Sequence, residues 1–311
     1  NKDVSFMKRR SLMSHLYLKY QLVLFLCIPL AAGIFLFSLL WYNSGKAAVT
    51  TDANDYLQAK NDYYAKTIEA FFLEQETLLT TLAGAISAAH FDNATIFAMC
   101  STTKKNSERL VSAIYIGFPN KIFMSTTGWT PTEGWDPTQR AWYQRAVAAN
   151  GLAFTDIYID SATKKPMLTM SIPKRSKGEF IGVLASDINL SQLKNLILAD
   201  NTNEIDVFVL DKAEHFITHK TYSPEDNLAE VGNGKYADAR TVILTHQTDH
   251  FSAIIQHEPS RLYTTYFPRS GSRLVISMSE KSMFEDLRLI RNKAYLFAVA
   301  FFGLLFFFIV A

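Results

Sequence analysis

The sequence lacks most features that are typical of catalytic and nucleic-acid-binding proteins. It has two cysteines in 311 residues, Cys27 and Cys100, and a net charge of +2. Two cysteines that are not expected to meet give no disulfide framework, and a balanced charge gives no basic surface for nucleic acid. Gly-x-Ser-x-Gly, His-Glu-x-x-His and phosphate-binding glycine loops do not occur. We therefore predict no catalytic residue, no cofactor and no enzyme activity for this stretch.

Two histidine pairs have a spacing that can bind metal, His215 with His219 and His246 with His250. On a helix, residues four apart share a face and could hold an ion. The residues between His215 and His219 have strand character, however, which would separate the imidazoles by about 13 Å. The sequence therefore predicts no metal site.

Two uncharged runs lie near the chain ends. Each is long enough to cross a bilayer as a helix, and we predict transmembrane helices over 21–42 and 294–311. A cleaved signal peptide is the alternative for the first run, but its apolar part is too long and no clean cleavage site follows. Lysine and arginine dominate residues 1–20, which places the N-terminus in the cytoplasm and residues 43–293 outside the inner (cytoplasmic) membrane.

The external region begins with a predicted helix. Between Thr51 and Ala89 there is no proline and a single glycine, Gly84, and apolar residues recur on one helical face. We predict a stalk helix over 43–89. A helix of this length is more often a rigid stalk or a dimer seam than an isolated surface helix.

Two sets of strands follow this helix. β-Branched and aromatic runs with polar turns between them predict strands at 109–118, 121–125, 154–159, 166–173 and 179–189. A second set is predicted at 205–210, 216–219, 251–256, 262–267 and 273–278. Helices are predicted at 140–149, 192–198 and 282–293. The pattern indicates an α+β fold with antiparallel sheets, divided into modules at 90–200 and 201–281 and an exit helix at 282–293.

One polar and aromatic stretch stands out in the first module. Trp135, Arg140, Trp142 and Tyr143 fall within nine residues, and Tyr158, Asp160 and Asp187 follow. A guanidinium matches a carboxylate, whereas carboxylates and aromatic faces suit an ammonium. These seven residues would suit a small zwitterion such as a free amino acid. The alternative is that Trp142 and Tyr143 belong to the core and Arg140 caps a loop.

The stretch from Gly134 to Leu193 resembles the double Cache (dCache) sensor domain of bacterial chemoreceptors, sensor kinases and diguanylate cyclases. The resemblance is sharpest over Trp135–Tyr143, Phe154–Asp160 and Gly182–Ile188, and covers about residues 45–290 in layout. It implies two tandem PAS-like modules on a long N-terminal helix, between two membrane spans. It also implies a homodimer along the long helix.

The resemblance assigns roles to the cluster. In amino-acid-binding members, an aromatic–x4–Arg–x–Trp–Tyr motif lines the membrane-distal pocket. Arg140 and Trp142 then match the carboxylate-binding groups, and the others match the cage around the ammonium: Tyr143, Tyr158, Asp160 and Asp187. The family has tyrosine where this chain has Trp135, so the identity and class of the ligand stay open. Arg140 offsets one of the two acids, Asp160 and Asp187, and the remaining negative charge makes a cationic amine the alternative ligand.

We therefore expect the ligand-sensing region of a bacterial transmembrane chemoreceptor that binds an amino acid or amine. The sensor region of a diguanylate cyclase or histidine kinase, and a membrane-anchored external enzyme or adhesion module, are the alternatives. The expected mechanism is a population shift, in which ligand closes the distal pocket and moves the exit helix relative to the long helix.

Overall fold

The computed structural model describes residues 21, 25, 28–89, 91–176, 178–198, 204–245 and 248–310. The predicted cytoplasmic segment 1–20 lies outside these residues, as do Ala311 and part of the predicted first span.

The described chain alternates helices and short strands. The helices are α1 (Ile28–Ser87), α2 (Asn93–Asn106), α3 (Ala141–Ala149), α4 (Leu190–Leu198), α5 (Val231–Gly234), α6 (Ala237–Thr245), α7 (Glu280–Met283) and α8 (Glu285–Val310), and a 3₁₀ turn spans Pro137–Gln139. The strands are β1 (Val111–Gly117), β2 (Phe123–Ser125), β3 (Ala153–Phe154), β4 (Tyr158–Ile159), β5 (Pro166–Met167), β6 (Thr169–Ser176), β7 (Glu179–Ile188), β8 (Asp206–Leu210), β9 (Phe216–Thr218), β10 (Thr248–Ile255), β11 (Glu258–Phe267) and β12 (Ser272–Ser279).

Two five-stranded antiparallel sheets repeat one topology. Their orders are β2-β1-β7-β6-β3 and β10-β11-β12-β8-β9. In the first sheet, β1 forms a hairpin with β2 and also pairs with β7. In the second sheet, β8 forms a hairpin with β9 and also pairs with β12. The predicted α+β class with two tandem antiparallel modules is confirmed. We call the modules distal (first sheet) and proximal (second sheet).

Two predicted strands are each split in the structure. The run 154–159 forms β3 and β4, and the run 166–173 forms β5 and the first half of β6, so that β4 and β5 pair as a separate two-stranded ribbon. The predictions of single strands there were wrong. Each run keeps the residue types of a strand along its whole length, although one part of it pairs in the five-stranded sheet and the other part in the ribbon. Helices α2 and α6 were not predicted from the sequence.

Helix α1 buries one face against both modules within the compact unit Tyr56–Glu280. The buried positions recur at helical spacing: Leu57, Asn61, Tyr64, Ile68, Phe71, Phe72, Gln75, Leu79, Leu82, Ala83 and Ile86. Asn61 bonds to Thr265 of β11 through its Nδ2, 2.9 Å from the hydroxyl oxygen. Tyr63 is 51% exposed, and its neighbour Tyr64 takes the buried position.

The described residues up to Asp55 and those from Lys281 onward form a second compact unit. Within it the Lys46 ammonium lies 5.1 Å from the Phe284 ring centroid, and the Arg291 guanidinium lies 4.8 Å from that of Tyr42. Of the described residues, those of α1 include a segment long and apolar enough to cross a membrane. Helix α8 contains residues 294–310 of the predicted second span. That it crosses a membrane stays a prediction.

We expect Gly182→Ala to destabilise the distal sheet. A Cβ at this position would lie 2.3 Å from the Gly117 carbonyl oxygen of the neighbouring strand. Overpacking of this kind costs about 1–3 kcal/mol. The test is thermal unfolding of the chain in detergent micelles.

The matched control is Gly84→Ala in α1, where an added Cβ meets nothing within 4 Å. Alanine is the better helix former by about 1 kcal/mol, so this variant should unfold at the same or a higher temperature. Equal melting temperatures for Gly182→Ala and the unmodified chain would contradict the predicted clash.

Candidate ligand-binding site

One cavity of about 110 Å³ lies in the distal module. Its wall combines aromatic rings, hydroxyl groups and three charged side chains, Arg140, Asp160 and Asp187. The lining residues are Ser112, Ala113, Tyr115, Phe123, Ser125, Thr127, Trp129, Trp135, Arg140, Trp142, Tyr158, Asp160, Ser161, Ala162, Thr163, Met167 and Asp187. Six of the seven residues predicted from the sequence are among them. The space suits a small molecule with both polar and apolar parts.

Asp187 lies near the end of the central strand β7. Its register partners are Ala113 on β1 and Thr169 on β6. The small side chain of Ala113 leaves space beside the carboxyl group, while the hydroxyl groups of Thr169 and Tyr115 donate to Oδ1 at 2.6 and 2.7 Å. The sheet thus holds one carboxyl oxygen in a fixed position at the cavity wall.

Burial raises the pKa of Asp187 to about 7, because desolvation disfavours the charged form. The hydrogen bonds from Thr169 and Tyr115 act in the opposite direction, since they favour the ionised form. Near neutral pH both protonation states of the carboxyl group are therefore accessible. A cation in the cavity would shift it to the carboxylate.

Tyr158 extends this network from the ribbon. Its hydroxyl group lies 2.8 Å from the Thr169 hydroxyl oxygen, which in turn contacts Asp187. Burial and the nearby Asp187 charge raise the pKa of Tyr158 above its usual range. The phenol therefore stays neutral and acts as a hydrogen-bonding group.

The loop before α3 is held by a local cap. Asp136 Oδ1 accepts hydrogen bonds from the Thr138 backbone N–H at 2.9 Å and hydroxyl group at 2.7 Å, and Pro137 starts the 3₁₀ turn with its fixed φ. This turn delivers Arg140 to the N-terminus of α3. The Arg140 guanidinium has no hydrogen bond or ion pair within the described part of the chain, and it is therefore available to an anion in the cavity.

Trp135 and Trp142 form an aromatic wall of the cavity. The Trp135 ring centroid lies 4.8 Å from that of Phe123 and 5.3 Å from that of Trp129, and Trp142 lies 5.0 Å from Tyr115. The Trp135 indole N–H is buried without a partner among the described residues. A buried donor of this kind favours a polar ligand atom beside it.

Asp160 belongs to the ribbon turn that closes one side of the cavity. Its Oδ2 accepts from the backbone N–H groups of Ala162 and Thr163 at 3.1 and 2.6 Å, and from the Thr163 hydroxyl group at 2.8 Å. The carboxylate therefore shapes its own turn as well as lining the cavity.

Tyr143 is the predicted residue that does not line the cavity. It is 6% exposed and packs against Trp142 and Phe180 in the distal core. On a helix, neighbouring residues point about 100° apart, so Trp142 and Tyr143 face different surroundings. For Tyr143 the geometry agrees with the alternative that it is a core residue.

Sequence reasoning missed several residues of the site. Tyr115 and Phe123 line the cavity and Thr169 bonds to Asp187, but these strand residues were assigned only to the sheet. Trp129, which also lines the cavity, lies in the loop before the motif. The hydroxyl groups of Tyr115 and Thr169 are polar groups within predicted strands, which is a sequence feature that could have indicated a site. Using it requires knowing that their strands, β1 and β6, flank the strand of Asp187 in the sheet, and the sequence does not give that strand order.

The prediction of no metal site concerns two histidine pairs, and His246 of the second pair lies outside the described residues. In the structure His219 is 2% exposed, and its Nε2 lies 3.3 Å from Asp206 Oδ1. Its Nδ1 accepts from the backbone N–H groups of Thr221 and Tyr222 at 2.8 and 3.0 Å. Across the described ranges, no three histidine, cysteine or acidic side chains are grouped to hold a metal ion.

The family comparison covers most of the chain. A family model described as a Cache domain, in its double form dCache, matches residues 43–287. The methyl-accepting chemotaxis protein PctB of Pseudomonas aeruginosa is 23% identical over 178 residues, which are 57% of this chain and 28% of PctB. TlpB of Bacillus subtilis is 33% identical over 119 residues, 37% of this chain and 17% of TlpB. The chain thus spans less than a third of the length of these relatives.

Solved structures share the fold. The ligand-binding domain of P. aeruginosa PctB in complex with L-Arg has a TM-score of 0.62 at 18% identity, covering 75% of this chain and 98% of that one. That of Pseudomonas fluorescens CtaA with L-isoleucine has a TM-score of 0.62 at 18% identity, covering 78% and 98%. That of P. aeruginosa PctC with GABA has a TM-score of 0.61 at 21% identity, covering 72% and 98%.

We expect Thr169→Val to raise the pKa of Asp187 above about 7. The variant keeps the side-chain shape but removes a donor that favours the ionised carboxyl group, so protonation becomes easier. The measurement is infrared titration of the carboxyl band, with Asp187→Asn used to assign it.

Ser171→Ala is the matched control on the same strand. The Ser171 hydroxyl group is also buried but donates to the Trp142 carbonyl oxygen at 2.8 Å. Its loss should leave the Asp187 midpoint unchanged. An unchanged or lower midpoint in Thr169→Val would show that the hydroxyl group does not stabilise the carboxylate.

Proposed function

The chain belongs to the Cache domain family in its double form, and from this premise we propose that it senses a small zwitterionic ligand, such as a free amino acid, in the distal module. The main support is one cavity lined by both a buried carboxyl group, Asp187, and the guanidinium of Arg140, which has no partner among the described residues. These two groups complement the two charges of an amino acid. The aromatic wall excludes water and strengthens both contacts.

Each proposed site residue has a distinct task. Arg140 binds the ligand carboxylate through its planar fork, and the indole N–H of Trp135 is a further donor. Asp187 accepts from the ligand ammonium and becomes fully ionised on binding, with Tyr158 and Asp160 around it. Trp142 forms the apolar wall. Tyr143 acts through the core, because it supports the Trp142 ring.

The bound ligands of the fold relatives point in the same direction. PctB holds L-Arg, CtaA holds L-isoleucine and PctC holds GABA in the solved complexes. All three ligands combine an ammonium group with a carboxylate. Trp135 replaces the tyrosine of the family motif, so the ligand side chain selected here is expected to differ.

A cationic amine is the second candidate ligand. Two acidic side chains, Asp160 and Asp187, line the cavity against one basic side chain, Arg140. If both carboxyl groups are ionised, the lining has one negative charge in excess. An amine without a carboxylate would satisfy this balance and would bind independently of Arg140.

For the whole protein we propose a methyl-accepting chemoreceptor, as the relatives are. The proposal places residues 43–293 outside the inner membrane between spans at 21–42 and 294–311, with homodimer contacts along α1. Support comes from the exposed apolar side chains of Phe35, Phe37, Leu296 and Phe297, which suit lipid. We propose no enzymatic role for this region. A cyclase or kinase output remains the alternative.

Ligand entry would shift a two-state equilibrium. Closure of the ribbon over the ligand favours one arrangement of the distal module, and the signal passes through α1 and through β12 into α7 and α8. Helix shifts of about 1–2 Å at interfaces are one established class of allosteric transition.

We expect Arg140→Ala to weaken amino acid binding by about ten- to a hundred-fold. A charge-assisted hydrogen bond contributes about 1.5–3 kcal/mol, which corresponds to that range. The measurement is calorimetry of the chain in detergent micelles, using the tightest binder from a thermal-shift panel of amino acids, amines and carboxylates.

Arg175→Ala is the matched control, because Arg175 is exposed on β6 and bonds to Asn150 Oδ1 at 2.8 Å, away from the cavity. It should bind with unchanged affinity. If Arg140→Ala also binds an amino acid normally, the carboxylate role is refuted. If the panel yields amines alone, the second candidate ligand replaces the first.

A further inference from the structure

One wall of the cavity belongs to the ribbon and not to the five-stranded sheet. Ribbon residues in the lining are Tyr158, Asp160, Ser161, Ala162, Thr163 and Met167. Strands β4 and β5 contribute two residues each and pair only with one another. A two-stranded ribbon is at best marginally stable alone, so its position depends on contacts with the rest of the chain.

Asp211 of the proximal module makes such a contact. It directly follows β8, and its side chain is 3% exposed. Oδ2 accepts from the Ile157 backbone N–H at 2.8 Å, and Oδ1 accepts from the His215 backbone N–H at 2.8 Å. One carboxylate therefore links the β8–β9 turn to the residue just before Tyr158.

The same short segment is held from the cavity side. The Thr155 backbone N–H donates to the Thr169 carbonyl oxygen at 3.0 Å, and the Tyr158 hydroxyl group reaches the Thr169 hydroxyl oxygen at 2.8 Å. Residues 155–158 thus connect the Asp187 network to the proximal module. A shift of the ribbon cannot leave both sets of bonds unchanged.

We propose that Asp211 is a positioning residue for the ligand cavity and couples the cavity to the proximal module. Its charge-assisted bond to Ile157 holds Tyr158 and Asp160 in place. Coupling between two sites is reciprocal, so a change at Tyr158 must also reach the β8–β9 turn. The inference rests on the proposed function in treating the cavity as a ligand site, but its test uses no ligand, so the two can fail separately.

The test is hydrogen–deuterium exchange with mass spectrometry on the whole chain in detergent micelles, without ligand. In Asp211→Ala, amides of the peptide 157–167 should exchange about tenfold faster, since the loss of a charged acceptor frees the ribbon. Asp211→Asn keeps an oxygen acceptor and should restore part of the protection. Tyr158→Phe should speed exchange in the peptide 211–216.

The control is Asp226→Ala, which removes a turn cap in the same module. Asp226 Oδ2 accepts from the Ser223 backbone N–H at 2.7 Å, and ribbon exchange should stay unchanged. Ribbon exchange at the normal rate in Asp211→Ala would overturn the proposal, as would a uniform increase across both modules. If Asp211→Ala does not fold, Asp211→Asn and Tyr158→Phe decide by the same criteria.

Discussion

The buried carboxyl group of Asp187 is the constraint on which the distal module depends. A charge in this position loses its hydration, and burial of an ionised group without partners is costly. The sheet supplies two hydroxyl donors to one oxygen, from β1 and β6, and a small residue, Ala113, opposite. Both protonation states of the carboxyl group are therefore accessible near neutral pH, and a cation in the cavity would favour the ionised state.

Other elements are arranged around this group by local chemistry. The Asp136 cap and Pro137 set the turn that brings Arg140 to the cavity, and the Asp160 turn closes the ribbon beside it. The proximal module repeats the sheet topology but not this chemistry. Its buried His219 pairs with the partly exposed Asp206, which also accepts hydrogen bonds from Lys235 and Tyr236 of the same module. The two modules thus have the same fold, and under the proposed function they have different tasks, with ligand binding in the distal module and transmission in the proximal one.

Much of the fold could be predicted from the sequence, because the spacing of apolar residues along the chain indicates which face of a helix or strand is buried. The long helix, both strand sets and the helix over 140–149 were foreseen on that basis. The split of the run 154–159 was not, since a strand that changes partners keeps the same alternation. The motif spacing, read with the family resemblance, located six cavity residues. Tyr115 and Thr169 required the strand order, which arises from contacts far apart in the chain.

Proton release on ligand binding tests the account most directly. Calorimetry with the tightest-binding amino acid, in two buffers of different ionisation enthalpy, counts the protons exchanged. Because burial raises the pKa of Asp187 to about 7 in the free protein, and a bound ammonium requires the carboxylate, binding at pH 7 should release about half a proton per ligand. Release should fall towards zero above pH 8 and approach one proton below pH 6. If binding released no protons throughout the range from pH 6 to pH 8, the central role of Asp187 would be contradicted.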